Sequence, residues 1–109
     1  MINSYKQVFG APQGEVNEED AEMASELFRT FDAHASREKN VESMHDALIR
    51  DHKASFDAIN DNGKAHVLQL CFHNANENFY ELEDEGIIDD CYEAQEEFLA
   101  CVVEVLKLR

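Results

Sequence analysis

The chain of 109 residues has no tryptophan, one proline and four glycines, and it carries only nine lysines and arginines against 24 aspartates and glutamates. The shortage of cations leaves a net charge of −15, which repels nucleic-acid phosphates and anionic lipid surfaces. With so few glycines the sequence holds no phosphate-binding loop, no dinucleotide fingerprint and no G-x-S-x-G elbow. We therefore expect no direct binding to nucleic acid and none to a membrane.

Long apolar runs and paired cysteines are also missing. No stretch approaches the roughly 20 apolar residues that a transmembrane helix needs, and the first residues lack the apolar segment of an export signal. The three cysteines form no CxxC motif, and an odd number does not suit a disulfide framework. The sequence predicts a cytoplasmic protein in which Cys71, Cys91 and Cys101 are core thiols.

What the chain does contain is apolar material at helical spacing. Hydrophobic residues make up 44% of it, which is enough to build one folded domain. The apolar positions follow the helical period, and no alternating run of strand length competes with them. Pro12, which lies between Gly10 and Gly14, separates a short N-terminal segment (1–16) from a helical bundle domain (17–109). The predicted fold is an all-α bundle of three to four helices with a short N-terminal helical segment.

The helix boundaries follow from capping residues and turns. Helix starts are predicted at Asn17, near Ser36, near Lys64 and around Asp89. The Asn-Asp-Asn-Gly turn at residues 60–63 is expected to end the second helix, and Gly86 is expected to end the third.

The last helix has the widest apolar face of the predicted helices. Leu99, Val103 and Leu106 extend this face beyond the roughly 100° that one core contact requires. Two explanations are open: the helix is the centre of the bundle, or it pairs with its twin in a homodimer. We favour the homodimer, with these three residues at the interface.

Charge of one sign accumulates toward the end of the chain. Residues 77–104 include eleven acidic residues and no lysine or arginine. A solvated helix ordinarily intersperses cations for i,i+4 pairs, so these carboxylates repel one another, which favours a basic partner that compensates them. The alternative is a solvated face that only prevents aggregation. The predicted partner-binding residues are Glu77, Glu81, Glu83, Asp84, Glu85, Asp89, Asp90, Glu93, Glu96 and Glu97.

Four of the five histidines form two pairs, His45 with His52 and His66 with His73. The members of each pair are seven residues apart, about two helical turns. If their two helices were antiparallel neighbours, the four imidazoles would converge. Glu42 and His45 match half of the Glu-x-x-His signature of di-iron bundles, but the second half is missing. We favour half-exposed boundary histidines, and expect neither a bound metal nor a cofactor. The candidate ligands of the alternative are Glu42, His45, His52, His66, His73 and Glu77.

No nucleophile in the sequence is accompanied by a base, so we expect no enzyme. The sequence predicts a non-catalytic acidic interaction protein that binds and inhibits or regulates a basic or nucleic-acid-binding protein. Its carboxylates would imitate a chain of phosphates, as in an inhibitor of the anti-activator, anti-defence or immunity type. One alternative is an adaptor that docks through a hydrophobic helix face. The other alternative is a metal-binding helical bundle.

Overall fold

The computed structural model describes the backbone of residues 6–109 and the side chains from residue 8 onward. A single helical turn, α1 (Lys6–Phe9), precedes four long helices. These are α2 (Glu18–Thr30), α3 (Arg37–Asp57), α4 (Asp61–Asp84) and α5 (Cys91–Lys107). Every regular element of the described range is helical, so the predicted all-α bundle with a short N-terminal helical segment is confirmed. Residues 1–5 of the predicted N-terminal segment lie outside the described residues.

The long helices begin at side chains that accept hydrogen bonds from backbone N–H groups of the first turn. Asn17 and Ser36 cap α2 and α3, as the sequence predicted. The third predicted start, near Lys64, is wrong by about one turn. Asn60 does not end a helix but caps α4, because its Oδ1 accepts a hydrogen bond from the N–H of Gly63 at 2.8 Å.

Helix α4 ends as predicted, at a glycine. Gly86 has a φ of 78°, a left-handed conformation that side chains with a Cβ rarely adopt. Its N–H donates to the carbonyl of Glu83 at 3.0 Å, and the N–H of Ile87 donates to that of Leu82 at 2.9 Å. This pair of bonds is the Schellman motif, which reverses the chain and fixes the corner between α4 and α5.

The long helices pack in the cyclic order α2, α3, α5, α4. Phe28 and Phe31, near the end of α2, stack on Phe79, near the end of α4, so these two helices are parallel neighbours. Helices α3 and α4, although joined by a three-residue connection, lie across the bundle from each other. The arrangement that would let the four paired histidines converge, with these two helices as antiparallel neighbours, therefore does not occur.

The wide apolar face of α5 is filled within one chain. Leu99 is 5% exposed and Leu106 is fully buried, and both belong to the core. Val103 is half-buried and packs against that core. The assignment of Leu99 and Leu106 to a dimer interface is thus corrected, because α5 packs against both α3 and α4 and needs apolar residues on two sides. The homodimer itself stays a prediction.

The segment before α2 lies against the start of α4. Asn62 accepts a hydrogen bond from the N–H of Gln13 at 2.7 Å and donates one to its carbonyl at 3.0 Å. The imidazole of His66 donates to the same carbonyl at 2.9 Å. The ammonium of Lys64, only 7% exposed as a residue, lies 5.7 Å from the centre of the Phe9 ring. The N-terminal segment therefore covers one end of α4.

The three cysteines are free and buried, as predicted for core thiols. Among residues 6–109 no helix combines the length and the apolar character needed to cross a membrane.

Candidate protein-interaction surface

The ten predicted partner-binding residues lie on the second half of α4, the connection 85–90 and the first half of α5. Since α4 and α5 are packed neighbours joined by a tight corner, this part of the chain forms one end of the bundle, here called the acidic end. Glu83 and Glu97 are half-buried. The exposed members are Glu77, Glu81, Asp84, Glu85, Asp89, Asp90, Glu93 and Glu96.

Two of these carboxylates have structural tasks. Asp90 is the N-cap of α5, and its Oδ1 accepts hydrogen bonds from the N–H groups of Tyr92 at 2.9 Å and Glu93 at 3.2 Å. Glu83 accepts a bond from the N–H of Cys91 at 2.8 Å. Both carboxylates lie at the N-terminus of α5, which is the positive end of its helix dipole. Glu83 and Asp90 therefore build the acidic end as well as adding charge to it.

One cation neutralises part of this surface. Arg37, at the start of α3, donates two hydrogen bonds to the carboxylate of Glu97, at 2.9 Å and 2.7 Å. These bonds hold the pKa of Glu97 below its usual value. Among the described side chains, no other ion pair involves a residue of the acidic end. The remaining carboxylates therefore keep their charge uncompensated.

A cleft opens beside the acidic end, between the α2–α3 connection and the start of α5. It has a volume of about 270 Å³. Phe31, Ile88 and Ala94 supply apolar wall, while carboxylates and an imidazole supply the polar part. The polar lining residues are His34, Asp89, Asp90, Glu93 and Glu97. Such a mixture suits a long cationic side chain, whose aliphatic stem is apolar and whose tip is charged.

The α2–α3 connection beside this cleft is held by a buried asparagine whose role the sequence did not indicate. Asn40, 2% exposed, donates to the carbonyl of Asp32 and accepts from its N–H, both at 2.8 Å. The next turn is fixed by His34, whose ring nitrogen donates to the carbonyl of Ile87 at 3.0 Å. These contacts join residues 8 and 53 positions apart, so no local pattern in the sequence reveals them.

Three large apolar side chains are exposed among the carboxylates. Tyr80 is 59% exposed, Ile87 49% and Tyr92 66%. Tyrosine is enriched in the energetically important parts of protein interfaces. The sequence already indicated the exposure of two of them, because Tyr80 and Tyr92 directly follow Phe79 and Cys91, which are buried, and neighbouring residues of a helix point in different directions. The acidic end therefore combines charge with exposed aromatic area.

The four paired histidines do not converge, because α3 and α4 lie across the bundle. His45 packs edge-on against Phe56, and His73 packs against Phe72. The Nε2 of His52 lies 3.5 Å from a carboxylate oxygen of Glu26. His66 binds the N-terminal segment as described above, while Glu42 and Glu77 are exposed. The structure therefore does not bring together the candidate ligands of the metal-binding alternative, which are Glu42, His45, His52, His66, His73 and Glu77.

A different group of potential ligands does come together in the described part of the chain. One ligand atom each from Glu83, Asp90 and Cys91 lies within 4.8 Å of the others. Both carboxylates are already engaged at the start of α5. Burial, and then the charge of Glu83, raises the pKa of the Cys91 thiol, which disfavours the thiolate that binds metals. This group is accounted for by helix capping.

Comparisons of the chain with models of protein families, with curated proteins and with solved structures found no match. The features that bear on function are therefore those of the molecule itself: the uncompensated carboxylates, the cleft and the exposed aromatic side chains of the acidic end.

Proposed function

We propose that this chain is a non-catalytic interaction protein whose acidic end binds a basic or nucleic-acid-binding protein and inhibits or regulates it. The observation that carries this proposal is the concentration of eight exposed carboxylates at one end of the bundle. Arg37 is the one described cation that forms an ion pair there. A cationic protein surface would supply the missing charge and would be attracted over a distance.

A protein fits this surface better than a small cation does. Tyr80, Ile87 and Tyr92 provide apolar area that a metal ion or polyamine would leave in water. The cleft beside Phe31 offers a place for one lysine or arginine of the partner. By occupying the partner's basic surface, the carboxylates would compete with nucleic acid for it, as a phosphate mimic of the anti-activator, anti-defence or immunity type does. We place this activity in the cytoplasm.

The test compares two triple variants with the same net charge. Glu81→Lys, Glu93→Lys and Glu96→Lys reverse exposed residues of the acidic end that form no cap and no ion pair in the described structure. Glu15→Lys, Glu22→Lys and Asp46→Lys reverse exposed residues elsewhere and serve as the control. Each protein is immobilised and exposed to a lysate of the source cells at low ionic strength, and bound proteins are eluted with rising salt.

We expect a basic protein to be retained by the wild type and by the control variant but not by the acidic-end variant. It should elute at moderate salt, because screening shortens the reach of the carboxylates. The purified partner should then associate more slowly with the acidic-end variant and with a weaker salt dependence. Equal retention of that partner by the two variants would refute the electrostatic mechanism.

The adaptor alternative is favoured by the exposed tyrosines. An adaptor that docks through an apolar surface keeps its partner at high salt, since burial of apolar area is not screened. In that case Tyr80→Ala and Tyr92→Ala would weaken binding more than the three charge reversals. The salt gradient therefore separates the two modes.

A further inference from the structure

A second surface of the molecule differs in character from the acidic end. A groove of about 480 Å³ runs between α3 and the last turns of α5. Val41 and Leu108 form its apolar part, and Leu108 is 55% exposed. Its rim carries two cations and two carboxylates: Arg37, Lys107, Glu38 and Glu104. The groove is thus lined by apolar side chains and by charges of both signs.

The presence of cations here matters because the whole chain carries a net charge of −15. Two copies that approach through their acidic ends repel each other. At the groove this repulsion is reduced, because each copy presents both signs of charge beside apolar side chains. A face that is complementary to itself in charge suits a two-fold interface, in which every contact occurs twice.

We infer that the groove between α3 and α5 is a docking site for a second copy of this chain. In the two-fold arrangement Leu108 of each copy covers the apolar part of the other, and Lys107 of each copy faces Glu38 of the other. Arg37 is held by Glu97 of its own chain, whereas Lys107 forms no ion pair among the described residues. Lys107 is therefore available to a partner molecule.

This interface replaces the one expected from Leu99 and Leu106, which are buried in the core of a single chain. It leaves the acidic end uncovered in both copies. A dimer would then offer two acidic ends to a partner, which raises the avidity for a target with two basic sites without any new contact.

The inference is tested with purified protein alone, so its outcome does not depend on the proposed partner. Sedimentation analysis over concentrations from about 1 µM to about 1 mM should show a monomer–dimer equilibrium for the wild type. Leu108→Asp should weaken the dimer by at least about tenfold, since a buried carboxylate without a partner opposes association. Ile87→Asp, at an exposed apolar residue of the acidic end, is the matched control and should leave the dimer unchanged.

A charge exchange tests the pairing itself. Lys107→Glu and Glu38→Lys should each weaken the dimer, because like charges then face each other at both copies of the contact. An equimolar mixture of the two variants should form a heterodimer, since both contacts become attractive again. A wild type that stays monomeric over the whole range would overturn the inference. The inference would also be overturned by a dimer that Leu108→Asp does not weaken, or by a mixture of the two charge variants that remains monomeric.

Discussion

The guanidinium of Arg37 holds both carboxylate oxygens of Glu97, with Nε to Oε2 at 2.9 Å and Nη2 to Oε1 at 2.7 Å. The pair ties the start of α3 to the middle of α5. Glu97 lines the cleft at the acidic end, whereas Arg37 lines the groove between α3 and α5. This ion pair is therefore the boundary between a surface proposed for a basic partner and a surface proposed for a second copy.

Removal of this pair should cost little stability. We expect Arg37→Ala to lower the free energy of unfolding by about 0.5 kcal/mol at neutral pH, because partly exposed ion pairs contribute roughly 0.2–1 kcal/mol. The folded-state pKa of Glu97 is depressed, so this contribution is present at neutral pH and is lost as the pH falls through that pKa. Urea unfolding at neutral pH and at about pH 3 should show the difference shrinking in acid.

Lys39→Ala is the control for this comparison, since it removes the same charge from the exposed first turn of α3. Equal losses in the two variants would mean that net charge, and not the ion pair, sets the effect.

Asn40 should matter far more than an exposed asparagine. Asn40→Ala leaves the N–H of Asp32 without its partner and removes one of the two hydrogen bonds to the Asp32 carbonyl, which still accepts from the N–H of Ala35, and we expect a loss of about 2 kcal/mol. Thermal unfolding should show a clear drop in Tm. Asn76→Ala, at an exposed position of α4, should change the Tm little. Similar Tm values for the two variants would contradict a structural role for Asn40.

A substitution of Gln95 should stabilise the protein. It is 4% exposed, and its Nε2 has no hydrogen-bond partner among the described residues. Gln95→Met keeps the length of the side chain and removes the unsatisfied donor, so it should raise the free energy of unfolding by about 1 kcal/mol. Gln69→Met, at a half-buried site on α4, is the comparison and should give a smaller gain. A destabilised Gln95→Met variant would show that the amide is needed.

Repulsion within the acidic end should be visible in the isolated protein. Added salt should raise the Tm, because at about 1 M the Debye length falls to roughly 3 Å. The triple reversal of Glu81, Glu93 and Glu96 should raise the Tm at low salt and reduce its salt dependence. The control reversal of Glu15, Glu22 and Asp46 should do so less, because these residues are scattered. A Tm independent of salt would remove the argument that a partner must compensate these charges.

The thiols should be inert in the folded state. Burial, and then the charge of Glu97, raises the pKa of Cys101 to about 12, and burial also raises the pKa of Cys71. A thiol reagent at mildly alkaline pH should label the native protein at least about tenfold more slowly than the protein in urea. All three cysteines should react after unfolding. Rapid labelling of one of them in the native protein would contradict the buried positions described above.

Local chemistry explains the part of the fold that the sequence predicted. Asn17 and Ser36 act as N-caps because their side chains accept hydrogen bonds from free N–H groups of the adjacent backbone. Gly86 ends α4 because the backbone there takes a left-handed conformation that glycine adopts readily. Asn60 shows the limit of such reasoning. An asparagine beside Asp-Asn-Gly suits a turn or a cap equally well, and the choice depends on the helix that follows it.

The arrangement of the helices could not be read in the same way. Whether α3 lies beside α4 or across from it depends on which apolar faces fit together, and helical spacing alone does not decide this. For that reason the sequence left open whether the two histidine pairs converge, and it favoured Leu99, Val103 and Leu106 as residues of a dimer interface. The positions of the exposed carboxylates were easier to predict, since they need only the helix and its solvent face.

The Schellman motif at Gly86 and the cap at Asp90 have a consequence for the cost of binding. Together they hold the backbone of the α4–α5 corner in one conformation before any partner arrives. A partner of the acidic end therefore has only side chains to immobilise, at roughly 0.5–1.5 kcal/mol each, and no loop to order. The conformational entropy that a disordered acidic tail would lose on binding has here been lost already in folding.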